Sequence, residues 1–331
     1  MSRRHVVVLV LLVSMAAAGC SASSPPRTTQ SASPTASASA PRPHVDVVLG
    51  QPIGMARAGD SIWATATAAD EVVRVDPVSG EVTARVAVGD TPLRLAFDGK
   101  LVWVSVFTAG KVVAIDPASA AAVHSVDLPG QPEGVAAGFG SIWVVRQEAR
   151  LLTRLDPTGR LVRSYPLGNE PRLAAVGERY VYASNFADGT VTRLDPATGA
   201  LTTSGRLCDG AQGMATGGPH VLWVTCTKAG KVVTVDETTL KVIGSIDLPA
   251  EPDAVKVIGG AVWVVRADGP TVVQLSSDPA HPKVIREYRA ADNLGLYDRA
   301  NVDFAVVGDR FWVSAPQAGG LYLVRVQLPG S

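Results

Sequence analysis

All six tryptophans of this chain share one local setting, and that repetition constrains the fold more than any other feature. Each stands in a short apolar run behind a Gly-containing turn, as IWAT, VWVS, IWVV, LWVT, VWVV and FWVS. Their spacing is 40 residues, except for one gap of 80 with Tyr182 near its midpoint and a last gap of 49. Self-similarity at this period predicts a propeller or a solenoid, here with seven units. The tryptophans are Trp63, Trp103, Trp143, Trp223, Trp263 and Trp312.

Each unit contains the signals of four short strands. A Pro turn such as QPIG precedes the first strand, the Trp run is the second, and a run such as EVVRVD is the third. A tight turn such as DPVSG or DPATG then leads to the fourth strand. In that turn Asp bonds its own backbone, Pro presets φ and Gly accepts positive φ. The aspartates of these turns are therefore interpreted as turn formers rather than as a catalytic cluster: Asp76, Asp116, Asp156 and Asp195.

Seven such units without helical periodicity predict an all-β, seven-bladed β-propeller with four-stranded antiparallel blades. The tryptophans are expected on the second strands, packed against the neighbouring blade. The last unit, 301–331, has signals for three strands, while an unmatched strand lies at residues 45–49. Pairing the two would close the ring and remove an exposed edge. Residues 45–331 are therefore expected to form one propeller domain.

The motif SIWV, followed by a strand and then hydrophobic-Asp-Pro-x-Thr-Gly, resembles the YVTN-type propeller repeats of bacterial surface and periplasmic proteins. The resemblance covers the chain after residue 44, and the chain also resembles the virginiamycin B lyase-like propellers. The YVTN resemblance implies an extracytoplasmic propeller, commonly without assigned chemistry. The lyase-like group is expected to use histidine at the channel mouth. Here His124 is assigned to an outer strand, and His220 and His281 to turns on the opposite face.

The N-terminal 44 residues predict export and anchoring. Residues 1–20 combine Arg3 and Arg4 with an apolar run, 6–18, that is too short to span a bilayer, as in a secretory signal. The ending Ala-Gly-Cys resembles a bacterial lipobox with Cys20 as the lipidated residue; an ordinary cleaved signal is the alternative. Residues 21–44, rich in Ser, Ala, Pro and Thr, are expected to be a disordered tether. The predicted location is the outer face of the cell membrane, reached by the general or the twin-arginine route.

Charge composition limits the partners. The chain has 30 Lys and Arg against 30 Asp and Glu, so its formal net charge is zero. Binders of nucleic acid or anionic membranes usually carry a basic excess, so neither partner is expected. Contact with the membrane is expected through the lipid anchor only. We expect a monomer without a cofactor.

Candidate binding residues follow from the strand directions. The Pro turns and the turns after the Trp strands share one face, named here the top face; the Asp-Pro turns lie on the other, the bottom face. Two sets of positions differ between units: those just after the Pro turn and those three residues after the aromatic. Packing would keep these positions alike in every unit, so their variation favours a role in recognition. Together with the insertion 292–300 and Asp303, they give the candidates Glu133, Arg146, Arg172, Asn185, Gln212, Asp253, Arg266, Tyr297 and Asp303. A solvated rim with weak surface ion pairs is the alternative.

Two cysteines in the fifth unit are predicted to meet. Cys208 precedes the first strand and Cys226 ends the Trp strand, so both fall at the top of neighbouring strands. In an oxidising compartment a disulfide is expected, with two free buried thiols as the alternative.

The sequence favours a non-catalytic binding or interaction module whose top face takes a protein or small-molecule ligand that the sequence does not identify. No His or Cys cluster with metal-ligand spacing, nucleophile elbow or phosphate loop is found in it. One alternative is a lyase or hydrolase with a metal held by Glu133, Asp253 and Asp303 at the channel mouth. Another is a structural component of the envelope.

Overall fold

The computed structural model describes residues 45–267, 270–290 and 301–326, in which the chain forms strands β1 to β28 and no α-helix. The strands make seven four-stranded antiparallel sheets arranged as the blades of a ring. In the part described, short 3-10 turns occupy Thr67–Ala69 and Pro316–Ala318. The predicted seven-bladed β-propeller is thus confirmed.

Blades 1 to 3 each use four consecutive strands. Blade 1 consists of β2–β5, Met55–Ala58, Ser61–Ala66, Glu71–Val75 and Val82–Ala87. Blade 2 consists of β6–β9, Pro92–Phe97, Val102–Val106, Lys111–Asp116 and Ala121–Asp127. Blade 3 consists of β10–β13, Pro132–Gly138, Ser141–Arg146, Leu151–Leu155 and Leu161–Pro166.

Blades 4 to 6 repeat this order. Blade 4 consists of β14–β17, Pro171–Val176, Val181–Asn185, Thr190–Leu194 and Leu201–Thr203. Blade 5 consists of β18–β21, Ala211–Thr216, Val221–Cys226, Lys231–Asp236 and Val242–Asp247. Blade 6 consists of β22–β25, Pro252–Ile258, Ala261–Arg266, Thr271–Leu275 and Val284–Arg289.

Blade 7 joins the two ends of the ring. It consists of β26–β28 and β1, Phe304–Val307, Arg310–Ala315, Gly320–Arg325 and Val47–Val48. Val47 pairs with Leu321, and the flanking Leu49 N–H donates to the Gly319 carbonyl over 2.8 Å. The early strand therefore completes the last blade, as the sequence predicts.

The aromatic of each second strand fills the space between blades. The six tryptophans and Tyr182 are at most 1% exposed. Trp263 of blade 6 stacks obliquely on Phe311 of blade 7 with ring centroids 4.6 Å apart. Trp312 donates from Nε1 to the Pro77 carbonyl of blade 1 over 3.2 Å. These contacts confirm that the repeated tryptophan is a packing residue between sheets.

The Asp-Pro turns are built as the residue chemistry predicts. Asp76 Oδ1 accepts hydrogen bonds of 2.8 Å from the Val78 and Ser79 amides. These backbone bonds, with Ser79 the larger contributor, lower the pKa of Asp76. Asp195 accepts in the same way from Ala197 and Thr198. Each of these carboxylates is thus committed to its own turn on the bottom face.

The predicted disulfide joins Cys208 and Cys226. It ties the loop before β18 to the end of β19 at the top of blade 5. Cys226 is fully buried and Cys208 is 9% exposed. The bond fixes the chain at the border of the channel mouth, beside Gln212 of the same blade.

Candidate functional site

The candidate site is the top mouth of the central channel. The first strand of every blade starts at the mouth, and in blades 2 to 6 its pairing with the second strand shifts register immediately after its first residue. Such a bulge leaves residues unpaired and re-aims their side chains. The positions that the sequence singles out just after the Pro turn lie in this irregular step. Glu133, Arg172, Gln212 and Asp253 therefore come together around the axis of the ring.

Hydroxyl groups on the second strands hold this irregular backbone in place. In five blades a Ser or Thr lies two residues after the aromatic and accepts a bond from a backbone N–H in or just before the first strand: Thr65, Ser105, Ser184, Thr225 and Ser314. Three of them also donate to a carbonyl of the next blade, with acceptors Glu133, Asp253 and Ile53. The repeated aromatic-x-Ser/Thr pattern is the sequence signal for this support, and it is not among the features predicted above.

Asp253 and Gln212 form the buried side of the mouth. Gln212 Nε2 donates to Asp253 Oδ1 over 2.8 Å, and the Val302 amide donates to Asp253 Oδ2 over 2.6 Å. Both side chains have no exposed surface. Burial raises the pKa of Asp253 to about 6, although the charge of Arg94 and these two hydrogen bonds act in the opposite direction.

Glu133 lies at the other side of the mouth and is 4% exposed. Its Oε2 accepts a hydrogen bond of 2.7 Å from Gln147 Nε2. Burial raises the pKa of Glu133 to about 7, against the lowering effect of the Arg172 and Arg94 charges. This carboxyl therefore changes its charge close to neutral pH.

Arg172 is held between partners of its own. One amino group donates to Glu170 Oε1, the other lies 3.5 Å from Gln212 Oε1, and the guanidinium covers the Phe186 ring with its carbon 3.7 Å from the centroid. These contacts fix the guanidinium as part of the wall of the mouth.

Two further residues of the mouth were missed from the sequence. Arg94 is 6% exposed, and its Nη2 donates to Asn301 Oδ1 over 2.9 Å, linking blades 2 and 7. Arg94 occupies a position that is glycine in three other units, Gly54, Gly134 and Gly213. An arginine at a position where three other units have glycine is the sequence signal that could have identified Arg94 as a residue of the mouth.

Asp303 lies one residue deeper than the ring of side chains formed by Glu133, Arg172, Gln212 and Asp253. Its carboxylate makes its contacts inside the channel. Lys256 Nζ lies 2.7 Å from Asp303 Oδ1, and the Met55 amide donates to Asp303 Oδ2 over 3.0 Å. The pair connects blades 6, 7 and 1 below the mouth. Of the proposed metal-binding carboxylates, Asp253 and Asp303 are thus held by donors through both oxygens, and Glu133 through one. Within the described ranges, no group of three His, Cys, Asp or Glu side chains is arranged to hold a metal ion.

The remaining candidates make contacts within their own parts of the rim. Arg146 donates from Nε to the Pro129 carbonyl over 2.7 Å. Asn185 is buried; it accepts from the Gly168 amide and donates to two threonine hydroxyls of β16. Arg266 forms an ion pair of 3.2 Å with Glu287 on the outer strand of blade 6. The structure does not bring these three into the ring of side chains at the axis. Tyr297 lies outside the described residues.

A cavity of about 500 Å³ opens at the mouth above blades 1 to 3. It is lined by Ile53, Leu93 and Glu133, which follow the Pro turns, and by residues of the loops before the first strands and after the second strands. The further lining residues are Gln51, Thr67, Ala68, Asp70, Asp90, Thr91, Phe107, Thr108, Gln147, Arg172 and Asn301. The candidates predicted from the sequence lie in blade 3 and later units, and of them only Glu133 and Arg172 line this cavity.

Fold and site together define a class: a seven-bladed β-propeller with a ring of buried charged and amide side chains at its top mouth. Virginiamycin B lyase from Staphylococcus aureus is similar in structure, with a TM-score of 0.71, 17% identity, and coverage of 84% of this chain and 96% of the lyase. Hydrazine synthase from Kuenenia stuttgartiensis gives a TM-score of 0.70 at 14% identity, covering 84% of this chain and 96% of that chain. BamB from Moraxella catarrhalis gives 0.55 at 16% identity, covering 86% and 98%. At these identities the likeness is one of fold alone.

No protein-family model matches the chain, and no curated protein sequence matches it. In the described ranges, no helix has the length and apolar character needed to cross a membrane. Cys20 and the preceding signal lie outside the described residues, so export and lipidation stay predictions.

Proposed function

We propose that the protein is an exported, lipid-anchored propeller that acts as a non-catalytic binding module through its top face. The observation that carries the proposal is the contrast between the two faces. The bottom-face aspartates bond their own turns, whereas buried, unlike polar groups converge at the top mouth beside an open cavity. Concave sites with a few convergent polar groups and a perturbed carboxyl are typical of ligand binding.

The anchor is proposed from the sequence of residues 1–44. The lipobox-like ending at Cys20 and the Ser, Ala, Pro and Thr tether would place the propeller at the outer face of the cell membrane, in keeping with the YVTN resemblance. Replacement Cys20→Ala tests it. We expect the membrane-bound fraction to lose the protein and the labelling with a palmitate analogue to disappear. Unchanged membrane retention together with unchanged labelling would refute the anchor.

The binding role is tested by charge reversal on the exposed rim. Asp90 is exposed and lines the top cavity, whereas Asp60 is an exposed aspartate in a bottom turn of blade 1. Asp90→Lys is expected to reduce the recovery of the crosslinked ligand or partner from cells, and Asp60→Lys to leave it unchanged. Equal recovery from wild type and both variants would contradict a top-face site.

The metal-dependent lyase or hydrolase is the weaker candidate. The donors that already hold Asp253 and Asp303 compete with an ion for these carboxylates, and the Lys256 ammonium lies 2.7 Å from Asp303 Oδ1, where it would repel a cation. Metal analysis of the purified protein with and without a chelator separates the two functions. The enzyme would be favoured if the protein held stoichiometric divalent metal and showed turnover, and if the chelator removed both.

A further inference from the structure

The buried carboxylate of Glu133 retains hydrogen-bonding capacity that the protein does not use. A carboxylate offers about four acceptor sites, and Gln147 donates to one oxygen, Oε2. Glu133 lines the top cavity although it is 4% exposed. Within the described part of the chain, no ion pair joins it to Arg172, which pairs with Glu170, or to Arg94, which bonds Asn301. Its remaining acceptor capacity is thus available to a group inside the cavity.

The charges around the cavity favour a cation. Its lining includes three carboxyl groups, Asp70, Asp90 and Glu133, against the single guanidinium of Arg172, while Arg94, whose charge also acts on Glu133, is not part of the lining. That guanidinium is already neutralised by Glu170. A cleft lined by an excess of one sign attracts ligands of the other sign. The Asp70 and Asp90 carboxylates in the same lining disfavour an anion in the cavity.

The size and surface of the cavity favour a small organic molecule. Its volume of about 500 Å³ lies within the range of small-molecule sites, roughly 300–1,000 Å³. Ile53, Leu93 and Phe107 give the cavity an apolar side next to Glu133. A molecule that places an ammonium on the carboxylate can therefore lay an apolar part against these residues.

We infer that the top cavity binds a small organic amine, with its ammonium group on the Glu133 carboxylate and its apolar part against Leu93 and Phe107. The inference rests on the proposed function, because it names the ligand class of the same top face. No covalent step is involved, and Glu133 acts as the anionic acceptor.

The charge state of Glu133 gives the inference a second readout. The groups that act on it are Arg172, Arg94, Glu170 and Asp253, with Asp70 and Asp90 on the rim. Because the pKa of Glu133 lies at about 7, an ammonium must select the ionised form. Affinity for an amine that stays protonated is therefore expected to fall as the pH is lowered from 8 to 5.5.

The test uses the full-length protein with benzylamine, benzyl alcohol and benzoate as probes in titration calorimetry. Benzylamine is expected to bind roughly tenfold or more tightly than either of the others, as for a charge-assisted hydrogen bond. Glu133→Gln should abolish that preference, whereas Glu81→Gln, a change in an exposed bottom turn, should preserve it. Benzoate binding as tightly as benzylamine, or an undiminished preference in Glu133→Gln, would overturn the inference.

Two further arms keep the outcome decisive. If Glu133→Gln fails to fold, the wild-type pH series stands alone, and an affinity for benzylamine that is constant from pH 5.5 to 8 overturns the inference. Tighter binding of a lysine-containing tetrapeptide than of benzylamine also overturns it, because the ligand would then be a lysine side chain of a partner protein and not a small organic amine. If benzylamine does not bind while Asp90→Lys still abolishes capture in cells, this inference fails and the proposed binding function stands.

Discussion

Gln212 and Asp253 face each other across the boundary between blades 5 and 6, with Nε2 and Oδ1 2.8 Å apart and neither side chain exposed. The same carboxylate accepts the Val302 amide of the segment that leads into blade 7. One buried acid thus connects three blades at the mouth. Burial raises the pKa of Asp253 to about 6, so the carboxyl is mostly ionised at neutral pH while it accepts both hydrogen bonds, and folding favours its protonated form.

Asp253→Ala is expected to destabilise the ring. The change leaves the Gln212 amide and the Val302 N–H without their acceptor in a buried place, at a cost of about 2–4 kcal/mol in the free energy of unfolding. Urea denaturation followed by tryptophan fluorescence measures it. Asp247→Ala is the control, since that side chain is 91% exposed and 3.9 Å from Lys231. Equal losses of unfolding free energy in both variants would show that the buried hydrogen bonds of Asp253 stabilise the ring no more than the exposed contact of Asp247 does.

Ring closure is tested by two adjacent valines of β1. Val47 is 5% exposed and packs in the core, whereas Val48 is 76% exposed. Val47→Asp buries a charge and is expected to lower the free energy of unfolding by about 3 kcal/mol or more, and Val48→Asp by less than about 1 kcal/mol. Both changes alter strand propensity alike. Similar losses at the two positions would contradict the pairing of residues 45–49 with blade 7.

The burial of Glu133 predicts a pH dependence of stability. The folded pKa of about 7 lies above the ordinary value of 4.5, so folding favours the protonated form. The favourable contribution is complete below about pH 4.5 and is lost as the pH rises through 7. Relative to wild type, Glu133→Gln should therefore gain roughly 3 kcal/mol between pH 4.5 and pH 8. Denaturation curves at both pH values check this, and a difference that does not change with pH would contradict the buried state of the carboxyl.

The disulfide closes a loop with a sequence separation of 18 residues. Constraining a loop of this length in the unfolded chain stabilises the fold by about 3 kcal/mol. Reductant is therefore expected to lower the free energy of unfolding of wild type by that amount and to leave a Cys208→Ala, Cys226→Ala double variant unaffected. A loss of the same size in the double variant would point to an effect unrelated to this bond.

The architecture was predictable because its signals repeat. The aromatic strand recurs in all seven units, and the Pro turns and Asp-Pro turns recur in most of them, so a weak signal in one unit is compensated by the same signal in others. The pairing of residues 45–49 with blade 7 followed from counting strands. The disulfide followed from strand direction, since both cysteines had to end at the top face.

The arrangement of the site was less predictable because it depends on side-chain directions at an irregular backbone step. Positions after the Pro turn point to the axis, which placed Glu133, Arg172, Gln212 and Asp253 together. Positions three past the aromatic, such as Asn185, bond the rim of their own blade instead. Arg94 reaches the mouth from a position where three other units have glycine, and there its Nη2 donates to Asn301 Oδ1, a contact between distant parts of the chain that the sequence does not reveal.

The most direct test of the central claim, recognition by the top face, is crosslinking in living cells from single photoreactive residues. The positions are Asp90 and Thr108 at the rim of the top cavity, and Val78 and Glu81 in an exposed bottom turn. If the top face binds the ligand or partner, the same bound species is captured from both top positions and from neither bottom position. Capture from the bottom positions alone, or equally from all four, would contradict it.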